Sequence, residues 1–346
     1  MASARSTKPA LWRRYFWHLC AIVLGVMVAV AAVYFVLPTL TSVSYGVPSA
    51  TSSILAKITQ PKELPKPVLD VADYRRRLLA LAQVATSSPY YAAFLQGTTT
   101  PLDAQGHATT TTLARPLWPV WRAAEPNAGA ILPFKRVVAY YGNFYSKGMG
   151  VLGEYDRGTV LAKLKSEVAG WEAADPTTPV IPAIEYIDVT AQGSPGKDGK
   201  YRLRMPDTQI DQALSYAKDV NGIVILDIQP GLSTVQAEVP LIDSYLKMPT
   251  VHLALDPEFA MHNGTPPGRV IGSLDADDIN WVIEYLSNLV RENNLPPKIL
   301  VIHRFTEDMV ANYKKIKPTP EVQVVMQMDG WGGPARKKNT YYTVIS

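Results

Sequence analysis

Two apolar runs between residues 222 and 259, each ending in acidic residues, constrain the fold of this chain more than any other feature. The first reads GIVILDIQPG and contains Asp227, and the second reads TVHLALDPEF and contains Asp256 and Glu258. An amphipathic segment separates them. Uninterrupted apolar runs joined by a helix-like segment are typical of parallel strands that are covered on both faces. In such sheets the functional side chains lie at the carboxyl ends of the strands, which is where these acids fall.

The same strand and helix unit recurs from residue 136 onward. The strand-like runs are RVVAYYGN, PVIPAIEYIDV, GIVILDIQPG, TVHLALDPEF, KILVIHRF and VQVVMQMDGWG, with a poorer last run, YYTVIS. Helix-like segments lie between them at residues 159–174, 208–220, 235–246, 277–293 and 306–316, and Asp207, Asp275 and Thr306 are suitable N-caps. Alternating strands and helices predict a parallel sheet with right-handed crossovers. We therefore expect an α/β domain over residues 136–346, built as a TIM-barrel-like parallel barrel.

Polar side chains at the predicted strand ends would face one common rim. The acids Glu185, Asp227, Asp256 and Glu258 are the candidate catalytic residues, since a glycosidase needs two carboxylates about 5 to 9.5 Å apart. On a strand, Asp256 and Glu258 would share one face because they are two residues apart. The candidate substrate-binding residues at the same rim are Tyr141, Asn143, His303, Asp329 and Trp331.

Two other interpretations of the rim stay open. A metal-dependent hydrolase could use Asp227, Asp256, Glu258 and His303 as ligands of a hard cation. Alternatively, the acids cap neighbouring backbone, and the cluster is a remnant of a catalytic ancestor in a domain that now has a binding or structural role.

The ordered set of motifs from residue 136 to residue 333 resembles one known group of proteins. It includes RVVAYYGNFYSKGMGVLGEY, KDGKYRLRMPD, LDIQPGLSTVQAE, HLALDPEF, PPKILVIHRFT and VQVVMQMDGWG. These motifs are similar to those of a poorly characterised bacterial family of secreted or lipoprotein-like proteins with a glycoside-hydrolase-like TIM-barrel domain. The resemblance implies a barrel of eight strands, whereas the chain offers six clear strands and one poor one before Ser346. We therefore expect an incomplete barrel with two open edges.

The N-terminal part predicts a membrane anchor in place of a lipoprotein signal. Residues 19–37 are apolar or small and carry no charge, which is about the length that crosses a bilayer. Basic residues precede this span, and the first Lys after it is Lys57, so residues 1–18 are expected in the cytoplasm and the main domain in the periplasm. The aromatic residues before the span, which would form an interfacial belt, are Trp12, Tyr15, Phe16 and Trp17. A cleaved signal peptide with a site near Ser49 and Ala50 is the alternative.

His18 lies where this aromatic belt meets the hydrocarbon. A neutral imidazole there could ligate a haem or a (bacterio)chlorophyll, or donate to a lipid headgroup, although a His at a wet interface needs no such role. No other cofactor is predicted. Residues 38–135 are interpreted as a Pro-, Ser- and Thr-rich tether, a short helix near residues 70–84 capped by Asp70, and an irregular Thr-, Pro- and Trp-rich segment.

Charge and cysteine content exclude several classes. The net charge of +4 comes from scattered Lys and Arg without a nucleic-acid-binding motif. The single Cys20 excludes an internal disulfide, a Cys-based zinc site and covalent c-type haem attachment. Two functions remain. The first is an extracytoplasmic scaffold subunit, anchored in the inner membrane, of an integral-membrane complex such as a photosynthetic reaction-centre and light-harvesting assembly. The alternative is a membrane-tethered glycoside hydrolase that acts on envelope polysaccharide.

Overall fold

Six parallel strands follow each other across one curled sheet in the order in which they occur in the chain. In the computed structural model, residues 68–97, 105, 107, 124–328 and 333–345 are described, and all belong to the unit Lys66–Ser346. The strands formed by the described residues, in sequence, are β1 Arg136–Gly142, β2 Val180–Ala191, β3 Arg202–Arg204, β4 Ile223–Ile228, β5 Val251–Leu255, β6 Leu274–Asp275, β7 Lys298–Arg304, β8 Val310–Ala311 and β9 Val322–Met328. The main sheet runs β1-β2-β4-β5-β7-β9, with β3 antiparallel to β2. This half-barrel confirms an α/β fold of the TIM-like class.

Helices cover the outer face of the half-barrel. Among the described residues the α-helices are α1 Val71–Leu81, α2 Pro89–Gln96, α3 Val151–Glu154, α4 Arg157–Ala174, α5 Asp207–Asp219, α6 Val235–Glu238, α7 Asp243–Leu246, α8 Ala276–Asn293 and α9 Pro334–Ile345. Strand residues such as Ile184, Leu226 and Leu300 point outward and pack with buried residues of α4, α5 and α8 in the larger apolar core. Since side chains alternate along a strand, their neighbours in sequence point inward.

A second, smaller apolar core fills the concave side of the sheet. Buried residues that it takes from the central strands include Ala183, Ile225, Ala254 and Val301. Two residues from before β1, Ile131 and Leu132, pack against this core. Their backbone is held by Gln323 of β9, whose Oε1 accepts from both N–H groups at 3.1 Å and whose Nε2 donates to Leu132 O at 2.6 Å. The segment before β1 thus joins the two outermost strands at the amino-terminal end of the half-barrel.

Several predicted helices are confirmed with shifted bounds. Asp70 caps α1 and Asp275 caps α8, each through a side chain that accepts a backbone N–H. At α5 the N-cap is Pro206, so Asp207, the predicted cap, is the first helical residue. The helix predicted at 235–246 is interrupted by a 3-10 turn, Val239–Ile242, that contains Pro240 near its start. Proline removes a backbone donor and disfavours a continuous α-helix.

Two secondary-structure predictions are wrong. Residues 306–316 form two 3-10 turns and strand β8, because the backbone is extended at Val310, with φ -127° and ψ 92°, and left-handed at Asn312, with φ 55°. Thr306 precedes the first turn without a side-chain cap bond. The final run YYTVIS was predicted as a strand, but its residues 341–345 belong to helix α9, which begins at Pro334.

Only some of the residues for which N-terminal predictions were made lie in the described part of the chain. Helix α1 agrees with the short helix predicted near residues 70–84, and α2 is an additional helix inside the segment predicted to be irregular. Among the described residues, no helix is both long and apolar enough to cross a membrane. The predicted span at residues 19–37 lies outside the described residues, as does His18.

Candidate functional site

The inner face of the half-barrel changes from apolar to polar at the carboxyl ends of the strands. Along β4, Ile223 and Ile225 belong to the inner core, and Asp227 and Gln229 follow with the same alternation. The polar side chains near the carboxyl ends of the other strands are Tyr141 on β1, Glu185 on β2, Asp256 just after β5 and His303 on β7. We call Tyr141, Glu185, Asp227, Gln229, Asp256 and His303 the mouth cluster. The predicted convergence of polar residues at strand ends is therefore found for five of these six residues.

Neutral donors connect two of the acids. The Tyr141 hydroxyl donates to Asp227 Oδ2 at 3.1 Å. The Gln229 amide donates to Asp256 Oδ2 at 3.0 Å and to the Tyr141 hydroxyl oxygen at 3.3 Å. Burial, followed by the negative charges of Asp227, Asp256 and Glu185, raises the pKa of Tyr141 well above its ordinary value. The phenol thus keeps its proton at neutral pH and acts as a donor.

His303 lies between two carboxylates. Its Nε2 is 3.4 Å from Glu185 Oε1 and 3.8 Å from Asp227 Oδ1, contacts that are ion pairs when the imidazole is protonated. Because both oxygens lie close to one nitrogen, they are at most about 7 Å apart, a limit that admits the carboxylate spacing of either class of glycosidase. The His303 ring also lies 5.7 Å from the Tyr141 ring, centroid to centroid, at 56°.

The ionisable members of the mouth cluster are shielded from solvent. Exposed fractions are 3% for Glu185, 0% for Asp227, 6% for Asp256 and 4% for His303. In the part of the chain that the structure describes, Glu185 Oε1 is buried and has no hydrogen-bond donor. Buried polar atoms are normally satisfied, so an exception needs an explanation.

Asp256 and Glu258 do not share a strand face as predicted. Strand β5 ends at Leu255, and Asp256 caps the 3-10 turn Pro257–Phe259. The Glu258 N–H donates to Asp256 Oδ1 at 3.1 Å, while Glu258 itself is partly exposed. The two-residue period applies only to extended backbone, so the turn separates these two acids. Asp256 belongs to the mouth cluster, and Glu258 lies beside it.

The remaining predicted site residues are Asn143, Asp329 and Trp331, and the structure describes only the first of them. Asn143 is buried, and its side chain donates to Ile187 O at 2.9 Å and accepts from the Tyr145 N–H at 2.9 Å, which fixes the loop after β1. Asp329 and Trp331 lie outside the described residues.

Sequence reasoning missed Gln229 and His252. Gln229 could have been found, since it follows Asp227 by two residues and therefore shares its face. His252 lies below the mouth cluster on β5, where its Nδ1 accepts the Ile299 N–H at 3.0 Å. Burial and the charge of Lys298 lower the pKa of His252 to about 3. This histidine is therefore neutral and structural.

Asp188, three residues beyond Glu185 on β2, lies apart from the mouth cluster. It falls at a register shift of β2, between Ile187 and Val189. Burial, followed by the charges of Asp207, Glu238 and Asp227, raises the pKa of Asp188 to about 7.

A cavity of ≈ 340 Å³ opens beside the mouth cluster, lined by the loops after β4 and β5, including Leu232, Met261 and His262. Among the described residues, no group of three or more His, Cys, Asp or Glu side chains is arranged to hold a metal ion. The hard-cation set of Asp227, Asp256, Glu258 and His303 is thus not assembled there.

Comparisons of the chain with protein-family models, with curated proteins and with solved structures gave no match.

Proposed function

We propose that the chain is a membrane-anchored extracytoplasmic scaffold subunit of an integral-membrane complex. The open sheet is the observation that carries the proposal. Within the described residues, β1 and β9 are the ends of the sheet, and both are mostly half-buried, whereas β4, β5 and β7 are buried throughout. An open edge presents unpaired N–H and C=O groups that proteins normally cover or pair. A neighbouring subunit is a natural cover for both edges.

The state of the mouth cluster agrees with a supporting role. Its carboxylates and imidazole are between 0% and 6% exposed, so a substrate would reach them only after the surrounding groups had moved. Below them, the inner core is closed by Ile131 and Leu132. The domain therefore keeps the outline of a barrel enzyme with its concave side filled.

The membrane part of the proposal rests on the sequence. The apolar residues 19–37 would anchor the chain in the inner membrane, with the main domain in the periplasm. A photosynthetic reaction-centre and light-harvesting assembly is one complex of this kind, in which His18 would contact a (bacterio)chlorophyll or a haem.

Extraction of the native membrane with a mild detergent tests the scaffold proposal. We expect the chain to purify with other membrane subunits, and a chain that runs as a lone monomer would contradict the proposal.

The edge can be tested directly by replacing Tyr140 of β1 with the photo-crosslinker p-benzoylphenylalanine. The matched control is the same replacement of Tyr245 on α7, which packs near the central strand β5. Crosslinks to a partner are expected from position 140 and not from position 245.

The mouth cluster favours a second candidate, a membrane-tethered hydrolase of glycosidic bonds in envelope polysaccharide. Three carboxyl groups meet a phenol and an imidazole at the strand ends, where barrel enzymes hold their catalytic groups. Turnover on a glycan panel would be the first requirement. Asp227→Asn and Asp256→Asn are then expected to lower the rate by 100-fold or more, and Glu258→Gln much less. Equal rates in all three variants would refute this assignment.

A further inference from the structure

We infer that Glu185 is the residue of the mouth cluster that contacts a bound sugar, whose hydroxyl group supplies the hydrogen-bond donor that Glu185 Oε1 lacks. This inference rests on the hydrolase candidate for its ligand class. It requires binding and not turnover, so it also holds for a domain that has kept the site without the reaction.

The position of Glu185 carries the argument. Its Oε1 is buried without a hydrogen-bond donor in the described structure, and it faces His303 Nε2 at 3.4 Å. A buried acceptor without a donor destabilises the folded state, because it has lost its hydrogen bonds to water without replacement. Core packing does not require such a group, because the next inward residue on the same strand, Ala183, is apolar and belongs to the inner core. A ligand that brings a donor would remove the penalty.

The surroundings of Glu185 suit a hydroxyl group. The Tyr141 phenol, the Gln229 amide and the His303 imidazole lie in the same cluster and make the surroundings of Glu185 polar. A sugar hydroxyl donates and accepts at once, so it can donate to a carboxylate and accept from a neutral donor beside it. Because Glu185 is only 3% exposed, the ligand reaches it after side chains at the mouth have moved, and binding should be accompanied by a conformational change.

The experiment uses the full chain in a detergent without a sugar headgroup. Saturation-transfer NMR and calorimetry measure binding of glucose, galactose, mannose, N-acetylglucosamine and their oligomers. We expect saturable binding of at least one sugar and a loss of at least 10-fold in affinity in Glu185→Gln. The matched control, Glu258→Gln, makes the same chemical change at a partly exposed site next to Asp256 and should alter affinity less than twofold.

The melting temperature separates binding from folding. The Glu185→Gln variant loses a buried carboxyl group that has no donor, so its melting temperature should stay the same or rise. A clear fall would show that Glu185 acts structurally, as the partner of a protonated His303, and would overturn the inference. Equal sugar binding by wild type and Glu185→Gln would overturn the role of Glu185 but would still support a sugar as the ligand. No binding across the panel would overturn both this inference and the hydrolase candidate.

Discussion

Replacing Asp188 with asparagine should stabilise the protein above neutral pH. Asp188 is 3% exposed at the irregular point of β2, and burial together with Asp207, Glu238 and Asp227 raises its pKa from 3.8 to about 7. The native state therefore binds this proton more tightly than the unfolded state does. Its contribution favours folding most at low pH and is lost as the pH rises from about 4 to about 7. A difference of about three pKa units corresponds to about 4 kcal/mol, which is the largest gain expected for Asp188→Asn at pH 8.

Urea unfolding of the full chain in detergent, followed by tryptophan fluorescence, can measure this gain. The free energies of unfolding of wild type and Asp188→Asn should nearly coincide at pH 4 and diverge between pH 5 and pH 8. The control is Asp308→Asn, which changes an exposed aspartate and should have little effect at either pH. A gain of the same size at both pH values would refute the electrostatic explanation, and no gain at pH 8 would refute the raised pKa.

Three further substitutions test other buried polar groups. Burial and the charge of Lys298 lower the pKa of His252 to about 3, so the neutral imidazole contributes stability above about pH 6.5 that is lost as the pH falls. The free energy of unfolding of wild type should therefore fall by about 3 kcal/mol between pH 7 and pH 4. In His252→Gln, urea unfolding should show a smaller fall over the same range. Gln323→Leu leaves three backbone groups without partners and should cost about 2–4 kcal/mol by urea unfolding, whereas Gln327→Leu on the same strand face should cost much less. Glu238→Gln weakens the contacts of a buried carboxylate with the buried Arg202 and the half-exposed Arg204, and it should lower the free energy of unfolding by about 3 kcal/mol. The control is Glu284→Gln at an exposed site, and an equal loss in both variants would contradict the contribution of the buried carboxylate.

The six main strands could be predicted from the sequence because parallel strands covered on both faces have continuous apolar runs. Strand β4 is buried at every position and is read from IVILDI alone. The polar residues at the strand ends were found for the same reason, since Asp227 lies near the end of one such run and His303 near the end of another. Pairing in register then brings residues of neighbouring strands to one face without any further signal in the sequence.

The failures have a common cause in local backbone conformation. The helical pattern of residues 306–316 gave no sign that Asn312 would adopt a left-handed conformation, and the β-branched and aromatic end of the chain forms a helix that starts at Pro334. At the site, Asp256 and Glu258 were expected on one strand, but the strand ends one residue before Asp256. Propensity and periodicity describe the average behaviour of a segment, so a single residue that ends an element escapes them.

The half-barrel is compatible with both proposals, a docking surface at its edges and a ligand site at the mouth cluster. In a closed barrel of eight strands, the last strand pairs with the first, and the edges disappear. Here the inner core needs only six strands because Ile131 and Leu132 fill its amino-terminal end, held there by Gln323 of the last strand. The mouth cluster depends chiefly on the strands from β1 to β7 and on their register. If a partner covers the outer edge of β9, as proposed, its contacts there should leave sugar binding at Glu185 unchanged.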